Sequence, residues 1–208
     1  MSRKVGVLDY GSGNLASACR ALSNAGADVT CSSKSSELAG LDALVVPGVG
    51  SFDVCMRGIK SLGGDELIAS FADDQKPVLG ICVGHQVLFS EGVENSGCPG
   101  LGLYPGVVEK LDATRLPHVG WNDLLFESSS EMFGCLEGQK CYFVHSFAAH
   151  RYSNGALSTP VGAEVIYACH GDDEFIAGVQ YGTVTSTQFH PEKSGQAGAT
   201  LLKNWVIR

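Results

Sequence analysis

The chain has 208 residues, 44% hydrophobic and 17% charged, enough length and apolar content for a single domain spanning 1–208 with a substantial buried core. A formal net charge of −8 without clusters of Lys and Arg argues against nucleic acid as a partner, and no apolar run approaches the length needed to cross a bilayer. The first residues, Met1-Ser2-Arg3-Lys4, lead into a strand with no apolar signal segment, so a soluble, cytoplasmic protein is expected. Eight cysteines lie at 19, 31, 55, 82, 98, 135, 141 and 169 with no Cys-x-x-Cys pair, and in a reducing cytosol most are expected to be small buried hydrophobes. Neither Cys135 with Cys141 nor His145 with His150 has metal-ligand spacing, so no metal and no cofactor is expected.

Val5-Gly6-Val7-Leu8-Asp9 predicts the first strand, and Leu15, Ala18, Cys19 and Leu22 at helical spacing predict a helix behind it. Between them, Gly11-Ser12-Gly13-Asn14 sits where a dinucleotide fingerprint would. Its last glycine is replaced by Ala16, and the second strand, 28–32, runs into Cys31-Ser32-Ser33 where an acidic residue is needed, so the match to nucleotide binding is weak. Residues 43–46 and 78–82 predict a third and a fourth strand, with helical stretches at 54–61 and 65–73. This alternation predicts an α/β fold, an open and mostly parallel twisted sheet with helices on both faces. The runs at 106–111, 141–147, 164–169, 175–179 and 184–189 follow without long helices between them and predict an antiparallel or mixed extension of that sheet. A helix over 195–206 closes the chain, with Ala199, Leu202 and Val206 on one face.

Three stretches carry chemistry. Pro77-Val78-Leu79-Gly80-Ile81-Cys82-Val83-Gly84-His85-Gln86 reads as a strand turning sharply into a helix over 84–90, with Cys82 at the turn and two glycines that let its side chain stand clear. The helix N-terminus aimed at the sulfur would raise the thiolate fraction; a buried structural cysteine after a core strand is the bland alternative. In Gln188-Phe189-His190-Pro191-Glu192-Lys193, strand alternation would project His190 and Glu192 together, where an imidazole can move a proton and a carboxylate can orient it. A surface turn with a solvated carboxylate reads equally well in isolation. Pro47-Gly48-Val49-Gly50-Ser51 follows the third strand, and the N–H groups of Val49 and Val83 could form an oxyanion hole; a peptide beside Gly48 turns easily because Gly48 lacks a Cβ. A tight turn without a chemical role is the alternative there. Asp9, Asp53 and Asp123 read as caps or solvated charges.

Gly80-Ile81-Cys82-Val83-Gly84-His85-Gln86 together with Phe189-His190-Pro191-Glu192 resembles the class I glutamine amidotransferase signature, and the resemblance spans the chain. Asp9-Tyr10-Gly11-Ser12-Gly13-Asn14-Leu15, Pro47-Gly48-Val49-Gly50-Ser51-Phe52, Pro117-His118-Val119-Gly120-Trp121-Asn122 and Tyr142-Phe143-Val144-His145-Ser146-Phe147 are similar to the glutaminase subunits of imidazole glycerol phosphate synthase. His85 departs from the methionine more usual there. The resemblance implies Cys82 as nucleophile, His190 as general base and acid, and Glu192 as the residue orienting it. It also implies that Gly50, Gln86 and Ser146 hold L-glutamine, and that Trp121, Asn122, Tyr142 and Lys193 lie near an interface with a (β/α)8-barrel cyclase in a heterodimer. The ammonia released would be used in histidine biosynthesis. A glutaminase subunit of another synthase, of anthranilate or aminodeoxychorismate type, and a stand-alone cysteine hydrolase are the alternatives.

Overall fold

The computed structural model describes residues 2–152 and 159–208. In its first half strands alternate with helices: β1 (Lys4–Leu8), α1 (Leu15–Asn24), β2 (Asp28–Ser32), α2 (Ser35–Leu38), β3 (Ala43–Gly48), α3 (Phe52–Ser61), α4 (Gly64–Asp73), β4 (Val78–Cys82) and the single turn α5 (Val83–Gln86). Strands then dominate: β5 (Phe89–Gly92), β6 (Cys98–Pro99), β7 (Tyr104–Lys110), β8 (His118–Asp123), β9 (Leu125–Phe126), β10 (Lys140–His145), β11 (Phe147–Ala149), β12 (Glu164–His170), β13 (Asp173–Tyr181) and β14 (Val184–Thr187), before α6 (Gly195–Ile207).

Five strands run parallel in the order β2-β1-β3-β4-β14, and the sheet continues through β13, β12 and β9, each antiparallel to its neighbour. β3 and β4 are buried at every residue, which is why they read as unbroken apolar runs: a central parallel strand is covered on both faces. In β1, Gly6 faces Leu38 and Leu41, and Leu8 reaches Gly64, while the alternate residues Val5 and Val7 are equally buried on the opposite face. The expected α/β sheet with helices on both sides is therefore present.

Two expectations need correction. The second half does not simply extend the sheet: β12, β13 and β14 join it, but β7 enters a four-stranded sheet ordered β11-β7-β5-β6, and among the described residues β10 pairs with β8 alone. The helix expected over 84–90 stops at Gln86, because Phe89 opens β5 and pairs with Tyr104 of β7. Val87, Leu88 and Phe89 are all wholly buried in that arrangement, so a longer helix would have to withdraw them from the core.

Three imidazoles are built into this core. His85 of α5 is wholly buried, with Nδ1 2.7 Å from Ser186 Oγ and its ring edge-on to Phe89. His118 of β8 and His145 of β10 meet Nδ1 to Nε2 at 3.1 Å, and His118 stacks between Phe143 and His170. Burial lowers the pKa of His85 to about 3 and, aided by the His170 ring, that of His118 to about 4. Burial and the His118 ring lower that of His145 to about 3. All three are neutral in the folded chain where the unfolded chain, with pKa values of about 6.5, binds protons. Their contribution to stability is complete above about pH 6.5 and is lost as pH falls toward 4 and 3. The unfolding free energy measured in urea should therefore drop steeply between pH 6 and 4, by up to about 1.4 kcal/mol per pH unit for each histidine. His85→Met should make the drop shallower; an identical pH profile in that variant would show that His85 carries none of it.

Candidate active site

β3 and β4 end side by side, with Gly48 opposite Cys82. Cys82 has φ 57° and ψ −111°, a region that residues with a Cβ avoid unless the surroundings impose it. The surroundings do so by close main-chain approach. A Cβ at Gly80 would lie 2.5 Å from Gly84 O, one at Gly48 would lie 2.6 Å from Gly84 N and 2.7 Å from Tyr10 Oη, and one at Gly84 would overlap Val46 O. Gly48 and Gly84 are thus required by backbone packing between β3 and the elbow, and Gly80 by packing on Gly84.

His190 and Glu192 come together differently from expectation. β14 ends at Thr187, and Pro191–Lys193 form one 3-10 turn, so a turn and not strand alternation brings the two side chains to one place. His190 Nδ1–H donates to Glu192 Oε1 at 2.8 Å, with both side chains almost fully buried. Three bonds hold the segment: His190 N–H donates to Tyr142 O at 2.9 Å, Ser194 Oγ–H donates to His190 O at 2.7 Å, and Tyr142 N–H donates to Ser194 Oγ at 2.9 Å. With Nδ1 committed to the carboxylate, Nε2 is the nitrogen left for Cys82, and it has no other partner among the described residues. Burial opposes the charged ring, but the Cys82 sulfur and the Glu192 carboxylate outweigh it and raise the pKa of His190 to about 9.

Cys82 and His190 open onto a cleft of about 340 Å³ that also takes in Gly50, Val83, Gln86 and Ser146, so the residues expected to surround a glutamine are gathered in one place. Val49 lines the cleft, but its N–H donates to Ser12 Oγ at 3.0 Å and is turned away from the sulfur. Ser12 Oγ–H returns a bond to Val49 O, and the Tyr10 hydroxyl donates to Pro47 O. The segment 11–14 therefore braces the Val49 loop, and Asn14 caps α1, its Oδ1 accepting from Ser17 N–H at 3.4 Å. Gly48 is a close-packing position, and the left-handed φ in this loop belongs to Gly50, at 93°. Gln86 spends both amide hydrogens inside the fold, on Phe147 O at 2.7 Å and Gln188 Oε1 at 2.9 Å, which leaves only its Oε1 for a ligand.

Two residues in the cleft region were missed by sequence reasoning. Glu94 lines it, its Oε2 accepting from Phe52 N–H at 2.9 Å; it lies in Glu91-Gly92-Val93-Glu94-Asn95, which matches no motif. Gln188 approaches Cys82 Sγ at 3.8 Å, and its place two residues before His190 was the available signal. Asp9, Asp53 and Asp123 are structural: Asp9 accepts from Gly11 N–H, Asp53 from Asn95 and Arg57, and Asp123 pairs with Lys140.

Beside the cleft, Trp121 of β8 stands opposite Tyr142 of β10 with ring centroids 6.1 Å apart, and Lys193 Nζ lies 5.9 Å from the Tyr142 ring centre. Trp121 is 54% exposed, so these three make an aromatic and cationic surface. Asn122 does not belong to it. Neighbouring strand residues face opposite ways, and Asn122 Nδ2 points inward to donate to Cys169 O at 2.6 Å and to His118 Nε2 at 3.3 Å. Among the described residues no three His, Cys, Asp or Glu side chains are grouped to hold a metal ion, and no helix is long and apolar enough to cross a membrane.

Residues 6–208 match the sequence model of the family Glutamine amidotransferase class-I. The imidazole glycerol phosphate synthase subunit HisH of Corynebacterium glutamicum is 48% identical, the match covering 99% of both chains. The HisH subunit of Cutibacterium acnes is 47% identical, covering 98% of this chain and 96% of its own. A solved glutamine amidotransferase superposes with a TM-score of 0.70 at 25% identity, over 97% of this chain and 98% of its own. PurLQS from Thermotoga maritima shares the fold with a TM-score of 0.75 at 21% identity, over 100% of this chain and 99% of its own. A strained cysteine between close-packed glycines, a buried histidine–carboxylate pair beside it and near-full-length likeness to HisH converge on one conclusion: the chain is a class I glutamine amidotransferase of the HisH family.

Proposed function

We propose that the chain, acting as one amidotransferase domain over 1–208, hydrolyses L-glutamine to glutamate and ammonia with Cys82, His190 and Glu192. The observation that carries this is the opening of Cys82, at φ 57°, onto a cleft shared with a His190 whose Nδ1–H is held by Glu192. Cys82 gives its proton to His190 Nε2, and the thiolate attacks the carboxamide carbon of glutamine. His190 then protonates the departing nitrogen, ammonia leaves and a glutamyl thioester remains. A water activated by the same imidazole releases glutamate. Glu192 keeps the proton on Nδ1 and supports the charged ring. The Glu94 carboxylate is the anion available to the α-ammonium of glutamine, with Gln86 Oε1, Gly50 and Ser146 around the rest of it.

The reading includes a partner. By their HisH likeness these residues serve a (β/α)8-barrel cyclase in a cytoplasmic heterodimer, and ammonia passes to it for imidazole glycerol phosphate synthesis. The Trp121, Tyr142 and Lys193 surface suits docking, and the Tyr142 main chain is bonded directly to His190. Val83, first in α5, has an N–H without an intrahelical acceptor and supplies one oxyanion donor. The second, Val49 N–H, is held by Ser12, so it becomes available only when that peptide turns, which we assign to docking of the cyclase.

Three outcomes follow. Cys82→Ala should abolish glutamine hydrolysis while its complex with the cyclase still makes product from ammonium salts; glutamine-driven synthesis that survived would remove Cys82 as nucleophile. His190→Ala, shown to be folded by circular dichroism, should lose about 10²- to 10⁴-fold in turnover and Glu192→Gln less, because an amide still accepts from Nδ1–H but cannot stabilise imidazolium as a carboxylate does. Ser12→Ala frees the Val49 peptide, so glutaminase activity without partner should rise by roughly tenfold or more, toward the 10² to 10³ that one oxyanion donor is worth. The stimulation by liganded cyclase should shrink by the same factor, and an unchanged ratio of stimulated to basal turnover would place the control elsewhere.

A further inference from the structure

Cys82 sits at the start of a helix of one turn, which offers little dipole to stabilise a thiolate, so the donors around the sulfur decide how readily it ionises. Among the described residues two hydrogen-bonding groups approach it besides His190. Val144 O at 3.9 Å is an acceptor and favours the S–H form; Gln188 Nε2 at 3.8 Å is a donor and favours the thiolate.

The orientation of Gln188 follows from its partners. A main-chain carbonyl can only accept, so the Gln86 atom 2.7 Å from Phe147 O is its amide nitrogen. That same nitrogen is 2.9 Å from the Gln188 side chain, which must therefore turn its oxygen to Gln86 and its nitrogen to Cys82. Gln188 is wholly buried, and its main-chain N–H is tied to Ala177 O at 2.9 Å, so the amide is fixed in place and water does not compete for it.

We propose that Gln188 is a further catalytic residue, its side-chain N–H donating to the Cys82 sulfur and stabilising the thiolate, with Gln86 as the positioning residue that sets its amide. When Cys82 ionises, the proton goes to His190 Nε2, the sulfur keeps the electron pair, and the Gln188 N–H shortens onto it. The role rests on the glutaminase reading above for its place in a reaction, but thiolate formation is measurable without glutamine.

The test compares full-length wild type, Gln188→Glu and Gln188→Leu. Each is treated with iodoacetamide over a series of pH values, and alkylation of Cys82 is followed by peptide mass, because other cysteines also react. Folding is checked by circular dichroism, and glutamine turnover is measured with liganded cyclase. The alkylation midpoint should rise by about one pH unit in Gln188→Leu, a tenfold change. It should rise further in Gln188→Glu, whose carboxylate still accepts from Gln86 but sets a like charge beside the sulfur. Turnover should fall roughly tenfold or more, with KM changed less than about twofold, as for a group acting on the reacting atom rather than on substrate binding. Either variant suffices if the other does not fold. A folded variant with the wild-type midpoint overturns the proposal, and if wild type then turns over glutamine normally the glutaminase reading stands. A midpoint shifted in the variants, together with a wild type that hydrolyses no glutamine, supports the sulfur contact and overturns that reading instead.

Discussion

The turn after β4 exists because main chain lies against main chain there, closer than any side chain permits. Gly84 packs on the Val46 carbonyl, Gly80 on Gly84, and Gly48 on the Gly84 N–H and the Tyr10 hydroxyl. That contact joins the ends of β3 and β4 into one rigid unit and holds Cys82 in a backbone conformation it would not adopt alone. The Val49 loop, Cys82 and α5 inherit their positions from it. A methyl group at Gly48 or Gly84 would have to separate β3 from the elbow, and one at Gly80 would push α5 away from β4, in each case displacing the sulfur.

Charge in the site is arranged around a buried pair. An imidazole and a carboxylate are taken out of water together here, with one ring nitrogen on Glu192 and the other facing Cys82. Cys82 and Glu192 together hold the proton on His190, and the single side-chain donor Gln188 Nε2 approaches the same sulfur at 3.8 Å. Glu94 adds another negative group to the cleft, which suits a ligand carrying an ammonium.

The sequence was most legible where one segment determines its own geometry. Gly80 to Gly84 admits few conformations, and β3 and β4 read correctly because a strand covered on both faces is apolar throughout. What lay hidden depends on residues far apart in the chain. Ser12 meets Val49 across 37 positions, and Gln86 meets Gln188 across 102, so neither contact leaves a local pattern. At the end of α5, helix periodicity continues through Leu88 and is overruled by the pairing of Phe89 with Tyr104. Asn122 was grouped with Trp121 by motif, where strand geometry alone separates neighbours to opposite faces.

The bond between Tyr142 O and His190 N–H is a mechanical link. It joins strand β10 to His190 through main chain only, with no flexible side chain to absorb movement, and the Tyr142 N–H is tied to Ser194 of the same segment. The Tyr142 ring, beside Trp121 and Lys193, is also part of the surface a partner would press upon. A partner that seats Tyr142 a few tenths of an ångström out of place would carry the imidazole with it. Quality of fit at the surface and alignment of the proton carrier thus become one variable, so an ill-matched partner would be discriminated against in rate even where it binds.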